Sequence, residues 1–320
     1  MRLINHPVLC NYYLTYRCNA SCSFCDIWEK PSPYVTAENV AENLAALRRL
    51  GVRVVDFTGG EPLLHRKLPD FLQLAKNLGF ITTVTTNTLL YPKYAGRLAG
   101  LVDMLHFSLD SVDREKHNAS RGVRCYDHLL RSIGVARELG ERPDILFTVS
   151  DENVDELPQV YERFARQEGL VVILNPLFEY QGVGGEPNRR TLERLRAWAS
   201  RPNIYLNQSF LDLRLQGGNR VSDPICKAGS ATVVISPENK LILPCYHLGL
   251  EAIPINGNLE ELYRRPAVQA EIAQEGRHPK CEGCVINCYM EPSMAVELNR
   301  YFWRSARSTL KYSLEKWIYA

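Results

Sequence analysis

From residue 8 to about residue 175 the chain alternates short β-rich runs with longer amphipathic ones, and this alternation most constrains its fold. The short runs fall at residues 9–16, 54–57, 81–86, 104–108, 145–149 and 171–174, and are rich in Val, Ile, Thr and aromatics. Helical patterns lie between them. In "TAENVAENLAALRRLG", Thr36 is positioned as an N-cap, Val40, Leu44, Leu47 and Leu50 form an apolar stripe, and Gly51 is the stop. "LPDFLQLAKNLG", "YDHLLRSIGVARELG" and "NVDELPQVYERFARQEG" also end in Gly. Strands alternating with helices imply a parallel sheet with right-handed crossovers, either an open doubly wound sheet or a partial barrel. In both, functional residues gather at the C-terminal ends of strands. The loops found there are "RCNASCSFC", "TGGEP", "TTNT" and "SLDS".

The pattern then changes. Residues 181–222 hold Gly-rich "GVGGEPN", a helix expected at 191–199 and "LQGGNR", and read as a linker region. From Asp223 a hairpin pattern appears, "ATVVISPENKLILPC", with its turn at Pro237-Glu238-Asn239, so a small C-terminal domain is expected over 223–295.

Basic and acidic residues nearly cancel, at a formal charge of +2, so nucleic acid is not expected as the partner. The N-terminus lacks the apolar core of a signal peptide, and no apolar run is long enough to span a bilayer; a cytoplasmic location is expected. In a reducing cytosol, clustered thiols read as metal ligands rather than disulfides. Of ten cysteines, Cys10 and Cys125 stand alone and read as small buried hydrophobes. The others form two groups.

Cys18, Cys22 and Cys25 lie within one loop. An iron–sulfur cubane needs four ligand positions, and the loop supplies three, so either a distant residue closes the site or one iron stays open for chemistry. Two alternatives stand beside this: a zinc site completed by His65 or His106, or chance clustering. Cys226, Cys245, Cys281, Cys284 and Cys288 bracket the hairpin and supply more than the four ligands a second cubane, or a zinc ribbon, requires.

"CNASCSFC" after the first strand, "TGGEP" after the second and "SLD" at the fourth together resemble the radical S-adenosylmethionine (radical SAM) superfamily, over roughly residues 9–180. The resemblance implies an α/β fold, a partial (β/α)6 TIM-type barrel over residues 1–180, with a small C-terminal β-hairpin plus helix domain. It implies that Cys18, Cys22 and Cys25 hold a [4Fe–4S] cluster whose open iron binds the amine and carboxylate of S-adenosylmethionine (SAM). Reductive cleavage would give a 5′-deoxyadenosyl radical that abstracts hydrogen from an unactivated carbon. Phe24 would lie by the adenine, and Gly59, Gly60 and Glu61 would meet the methionine amine. Ser108 would contact ribose or carboxylate, and Arg121 would pair the carboxylate. Backbone at Asn175, Pro176 and Leu177 would read adenine. Thr86, Asn87 and Asp110 are expected to support these groups or to serve only as turn and cap residues.

The second cysteine group resembles the family's twitch domain, a shortened SPASM domain holding one auxiliary [4Fe–4S] cluster. Cys226, Cys245, Cys281 and Cys284 are the implied ligands, with Cys288 a rival for one position. A saturated cluster of this kind would relay electrons. One departure is Lys240, where the family often has Gly, which leaves the turn geometry open because Lys resists positive φ. Tyr246 and His247 after Cys245, and Glu179 and Tyr180 after the sixth strand, are candidates for touching substrate or filling core and surface positions.

Residues 296–320 are expected to hold an amphipathic helix. Trp303, Ala306, Leu310, Leu314 and Trp317 form its apolar stripe, and packing of that stripe on the protein body is the favoured reading; with Arg304, Arg307, Lys311 and Lys316 beside it, the segment 301–320 also suits peripheral membrane contact. The expected function is a radical SAM enzyme that modifies or oxidises a peptide or small molecule, with a reductant such as flavodoxin or ferredoxin. The alternatives are a lipid- or glycan-modifying enzyme of that class at a membrane surface, and a non-catalytic zinc scaffold.

Overall fold

The structure is a computed structural model and describes residues 1–179 and 182–318; Tyr180 therefore lies outside the described residues. Among the described residues ten strands form one sheet: β1 (Leu9–Tyr13), β2 (Val54–Thr58), β3 (Ile81–Thr86), β4 (Met104–Leu109), β5 (Asp144–Val149), β6 (Val172–Pro176), β7 (Ile204–Tyr205), β8 (Thr232–Ile235), β9 (Lys240–Leu243) and β10 (Glu251–Pro254). The first helices are α1 (Ala37–Arg49), α2 (Leu68–Asn77), α3 (Tyr91–Leu98), α4 (Arg114–Arg121), α5 (Tyr126–Glu138) and α6 (Leu157–Val160). Then come α7 (Arg189–Trp198), α8 (Gln208–Leu215), α9 (Ala228–Ala231), α10 (Leu259–Arg264), α11 (Pro266–Ile272), α12 (Asn287–Val296) and α13 (Phe302–Trp317).

The spatial strand order is β10-β9-β8-β1-β2-β3-β4-β5-β6-β7, parallel from β8 through β7. The six expected strands are β1 to β6. The expected linker instead carries α7, β7 and α8, and β7 extends the parallel run. The hairpin also joins the barrel sheet: β8 pairs in parallel with β1, Cys10 opposite Val233. At its turn the positive φ of 58° falls on Asn239, and Lys240 starts β9. The left-handed residue is thus Asn, which tolerates it, rather than Lys.

Strand parity explains the architecture. Val55, Phe57, Leu105, Phe107, Ile145 and Phe147 face the helices and are buried. Each such side chain contributes roughly 1.5–3 kcal/mol of burial. Alternate residues face inward, and many are polar: Asn11, Asp56, Thr83, Thr85, His106, Asp144 and Asn175. Helix α1 starts as expected, with Thr36 accepting a hydrogen bond from the Asn39 amide, and buries Val40, Leu44 and Leu47.

Helix α13 docks by the face opposite to the one expected. Its buried residues are Ser305, Ser308, Tyr312 and Lys316, while Trp303, Ala306, Leu310 and Trp317 are exposed. The favoured packing of the apolar stripe on the protein body is therefore corrected. The physical reason is polar. Asp144, fully buried on the inner face of β5, accepts from Tyr312 Oη at 2.6 Å and from Lys316 Nζ at 2.8 Å. Ser305 accepts from Asn207 Nδ2 at 3.0 Å, and Ser308 from the Gln208 amide at 3.2 Å. A buried carboxylate needs these partners more than the stripe needs cover.

Candidate active site

The loop carrying Cys18, Cys22 and Cys25 leaves the C-terminal end of β1 and is held by three neighbours. The end of α4 holds it first: the Ser21 amide donates to Arg121 O at 3.0 Å and the Ser23 amide to Ser120 O at 2.9 Å. Helix α4 ends at Gly122, φ 63°, where a Cβ would sit 2.2 Å from Ser21 Oγ. "TGGEP" holds the loop second. The Gly60 amide donates to Thr15 O at 2.9 Å and the Glu61 amide to Arg17 O at 3.0 Å. A Cβ on Gly60 would lie 2.2 Å from Arg17 O, so only glycine lets these backbones close. "TTNT" is third: Asn87 Nδ2 donates to Asn19 Oδ1 at 2.7 Å and lies 3.9 Å from Cys18 Sγ.

Glu61 and Arg121 are both buried, so neither is a solvated surface charge. Glu61 accepts from Thr86 Oγ1 at 2.8 Å, the Asn87 amide at 2.9 Å and the Leu63 amide at 3.1 Å. Burial pushes its carboxyl up to about 7, against the pull of those hydrogen bonds. Arg121 Nη2 donates to Asp110 Oδ1 at 2.7 Å, its Nε is 2.6 Å from Asp110 Oδ2, and its Nη1 lies 3.9 Å from Cys22 Sγ. Its guanidinium also covers the Phe24 ring at 5.5 Å. Thr86, Asn87 and Asp110 are therefore direct partners of Glu61 and Arg121, beyond turn or cap roles.

Beside the loop opens a cavity of about 820 Å³ whose lining includes Phe24, Asp110, Ser120, Asn153 and Leu177. It brings together Phe24 and Leu177, the two residues expected by the adenine. Ser108 is buried on the inner face of β4. The backbone expected to read adenine is already engaged: the Leu177 amide donates to Val149 O at 2.8 Å, and Arg214 donates to Pro176 O at 3.1 Å and Leu177 O at 2.6 Å. Arg214 was not found by sequence reasoning, because it lies on α8 within the expected linker.

Neither candidate zinc histidine serves the loop. His65 Nε2 bonds Val35 O at 2.9 Å, and His106 faces Thr85 and Asp144. Among the described residues no three His, Cys, Asp or Glu side chains converge as one zinc ion requires. The chemistry of the donor set fits a cubane: three unpaired thiols in one loop, with Asn87 and Arg121 N–H groups directed at two of the sulfurs.

Cys226 and Tyr246 belong to a buried cluster with Tyr13 and Tyr289, and Cys245, Cys284 and Cys288 pack against it. Cys226, Cys245, Cys281 and Cys284 each accept N–H bonds from neighbouring backbone, among them Leu248 N to Cys245 Sγ at 3.4 Å. Cys288 lies in the first turn of α12, near Cys245, Asp56 and Cys284. Tyr246 stacks on Tyr13 at 4.5 Å and accepts from Lys30 Nζ at 3.0 Å. It thus bridges the start of the first cysteine loop and Cys245. His247 is half-buried, and its desolvation pushes the imidazole down to about 4. Glu179 is exposed. Lone Cys10 and Cys125 are both buried.

Comparisons with known proteins place the chain in a family. The profile of the Radical SAM superfamily matches residues 12–164. A protein of Methanopyrus kandleri named "Probable GTP 3′,8-cyclase" is 33% identical over 213 residues, 62% of this chain and 69% of that protein. The chain belongs to the radical SAM superfamily. As a member it is an enzyme that uses SAM and a [4Fe–4S] cluster. An Archaeoglobus fulgidus protein of the same name is 35% identical over 162 residues, 48% of this chain and 54% of its own length. Among solved structures, Streptococcus suis SuiB bound to precursor peptide SuiA superposes with a TM-score of 0.68 at 18% identity, over 93% of this chain and 74% of that one. Likewise anSMEcpe with bound AdoMet gives 0.67 at 17% identity, over 96% and 93%. These two likenesses are of fold.

Proposed function

We propose that this radical SAM enzyme abstracts a hydrogen atom from a substrate held inside its polar barrel. The cluster would be held by Cys18, Cys22 and Cys25, and SAM would fill the neighbouring cavity. Bound there, the cluster and SAM would together supply one-electron reductive cleavage of the cofactor and the hydrogen-abstracting chemistry that follows from it. The chain's own residues set the stage. Gly59 and Gly60 fix the loop, Glu61 ties it to β3, and Arg121 with Asp110 presents fixed charge beside Cys22. Phe24 and Leu177 supply apolar cover for adenine, and the carboxylates of Asp110 and Glu186 on the cavity wall suit a cationic cofactor.

The observation that carries this reading is the convergence of the three-cysteine loop, "TGGEP" and "TTNT" through direct hydrogen bonds. A second cluster on Cys226, Cys245, Cys281 and Cys284 would accept or relay electrons, with Cys288 the rival for one position. Anaerobically reconstituted protein should hold about eight irons and no zinc. When reduced, it should cleave SAM to 5′-deoxyadenosine. Cys22→Ala should abolish that cleavage; full cleavage in the variant would sink the assignment.

For substrate, a peptide or small molecule fits better than a nucleoside triphosphate. From β1 to β7 the inward strand residues include Asp56 and Asp144 but no Arg or Lys, and Lys316, which reaches Asp144 from α13, is already paired there. On α12, Glu291 accepts from Tyr205 Oη at 3.0 Å, which adds a third carboxylate. Polyphosphate is bound by Arg, Lys or metal. The names of the archaeal relatives favour the nucleotide reading. GTP added to the reduced enzyme decides: 5′-deoxyadenosine formation should be unchanged, and coupled consumption of GTP would reverse the choice.

A further inference from the structure

Helix α13 carries two faces with opposite chemistry. Its docking face is polar, as described above. At 3.6 residues per turn, Trp303, Ala306, Leu310, Leu314 and Trp317 lie on the opposite side, all exposed except Leu314, which is half-buried. Trp303 is 72% exposed, Leu310 60% and Trp317 56%, and Ile318 follows at 66%. Four of the eleven exposed large hydrophobics among the described residues thus fall within one helix and its end, so the exposure is concentrated rather than scattered.

The charge around this stripe is one-sided. From residue 300 to 318 the sequence holds Arg300, Arg304, Arg307, Lys311 and Lys316 against Glu315 alone, in a chain of formal charge only +2. Lys316 is spent on Asp144 inside the protein, Arg304 pairs with Asp212 of α8, and Lys311 donates to Arg201 O, Ile204 O and Glu315. Trp303, Arg304, Arg307 and Lys311 line a groove of about 540 Å³ between α13 and β7, beside the stripe. An indole at each end of an apolar stripe, with guanidinium groups alongside, matches the boundary between acyl chains and headgroups. The basic groove matches anionic phosphate.

We propose that the outward face of α13 docks on the surface of a phospholipid bilayer bearing anionic headgroups. The apolar stripe lies in the interface, and Arg307, with Arg304 and Lys311 adding positive charge beside it, meets lipid phosphate. Membrane contact needs no movement of the helix, because the docking face keeps its hydrogen bonds to β5 and α8.

The test is co-sedimentation of the reconstituted full chain with phosphatidylcholine vesicles, with and without phosphatidylglycerol. Binding should require phosphatidylglycerol and weaken as salt rises. The triple substitution Trp303→Ser, Leu310→Ser, Trp317→Ser should reduce binding about tenfold or more, and Arg307→Glu by a smaller factor. The melting temperature and the rate of SAM cleavage should be unchanged in both, since these side chains point to solvent. Wild-type protein left in the supernatant with phosphatidylglycerol vesicles overturns the proposal, as does equal binding by the triple variant. Sedimentation velocity supplies a third overturning result: a wild-type dimer that the triple variant dissolves would mean that a second copy covers the stripe.

Discussion

Arg121 and Asp110 form a buried two-pronged ion pair directly behind Cys22. The guanidinium approaches the two carboxylate oxygens at 2.6 and 2.7 Å and turns Nη1 toward the sulfur. Behind it, His117 Nδ1 accepts from the Asp110 amide at 3.1 Å, which leaves the ring proton on Nε2, 3.3 Å from Cys125 Sγ. Arg121→Ala would strand Asp110 as an uncompensated buried charge. Global stability should fall by about 3–5 kcal/mol, read by denaturant titration. Arg121→Lys keeps the charge but loses the second prong, so it should recover part of that loss.

The Gly60 position should be intolerant of a single methyl. Its Cβ would meet the Arg17 carbonyl, which is backbone and cannot swing away. Gly60→Ala should therefore misplace the cysteine loop while the helices survive. Iron bound per chain after reconstitution should drop by up to about half, since only the first cluster depends on that loop. The circular dichroism spectrum should stay near that of wild type.

Glu61 carries a pH signature. Its carboxyl moves from the ordinary 4.5 up to about 7 in the folded protein. An acid raised on folding binds more protons in the native state, so its contribution is favourable below the unfolded value and is lost as pH rises through the folded one. Stability should fall between pH of about 4.5 and 7 by up to about 3 kcal/mol from this group and then level off. Glu61→Gln should flatten that slope. It should also lower SAM cleavage, because Gln offers one acceptor oxygen where Asn87 N and Thr86 Oγ1 use two.

Much of this was legible in the sequence. The runs that became β1 to β6 are bounded by glycine stops and punctuated by the motif loops, so the barrel and its working rim follow from local signals. The inward polar residues were readable too, since Asp56, His106 and Asn175 share strand parity opposite Phe57, Phe107 and Leu174. What escaped depends on distant partners. Strand β7 is two residues long, too short for a periodic signal. Parallel pairing of β8 with β1 joins segments more than two hundred residues apart. The apolar stripe of α13 pointed the wrong way because a single buried carboxylate, Asp144, decided the docking face.

The two cysteine groups predict separable losses. Cys284 accepts from the Ile286 amide and lies near Cys281, and Cys288, in the first turn of α12, lies near Cys245, Asp56 and Cys284 as the rival ligand. In a background with Cys18, Cys22 and Cys25 all changed to Ala, about four irons should remain per chain. Cys284→Ser should remove them, and Cys288→Ser should not. Retention in the first and loss in the second would exchange the two residues in the ligand set.

Asp144 and Lys316 make the last test, because they couple the barrel to α13. Both are buried, at 0% and 5% exposure, and Lys316 Nζ also donates to Arg142 O. Asp144→Asn keeps the shape and an acceptor for Tyr312 but leaves the ammonium without its counter-charge. Removing one partner of a buried pair costs about 3–5 kcal/mol, far more than an exposed pair is worth. That cost falls on one helix held by few apolar contacts, so α13 should open before the barrel unfolds. Protease should then cut within residues 302–317 while the remaining chain stays intact. Lys316→Met in the same background removes the stranded charge and should restore resistance. If Asp144→Asn alone leaves the helix protected, hydroxyl and backbone contacts hold it and the ion pair does not.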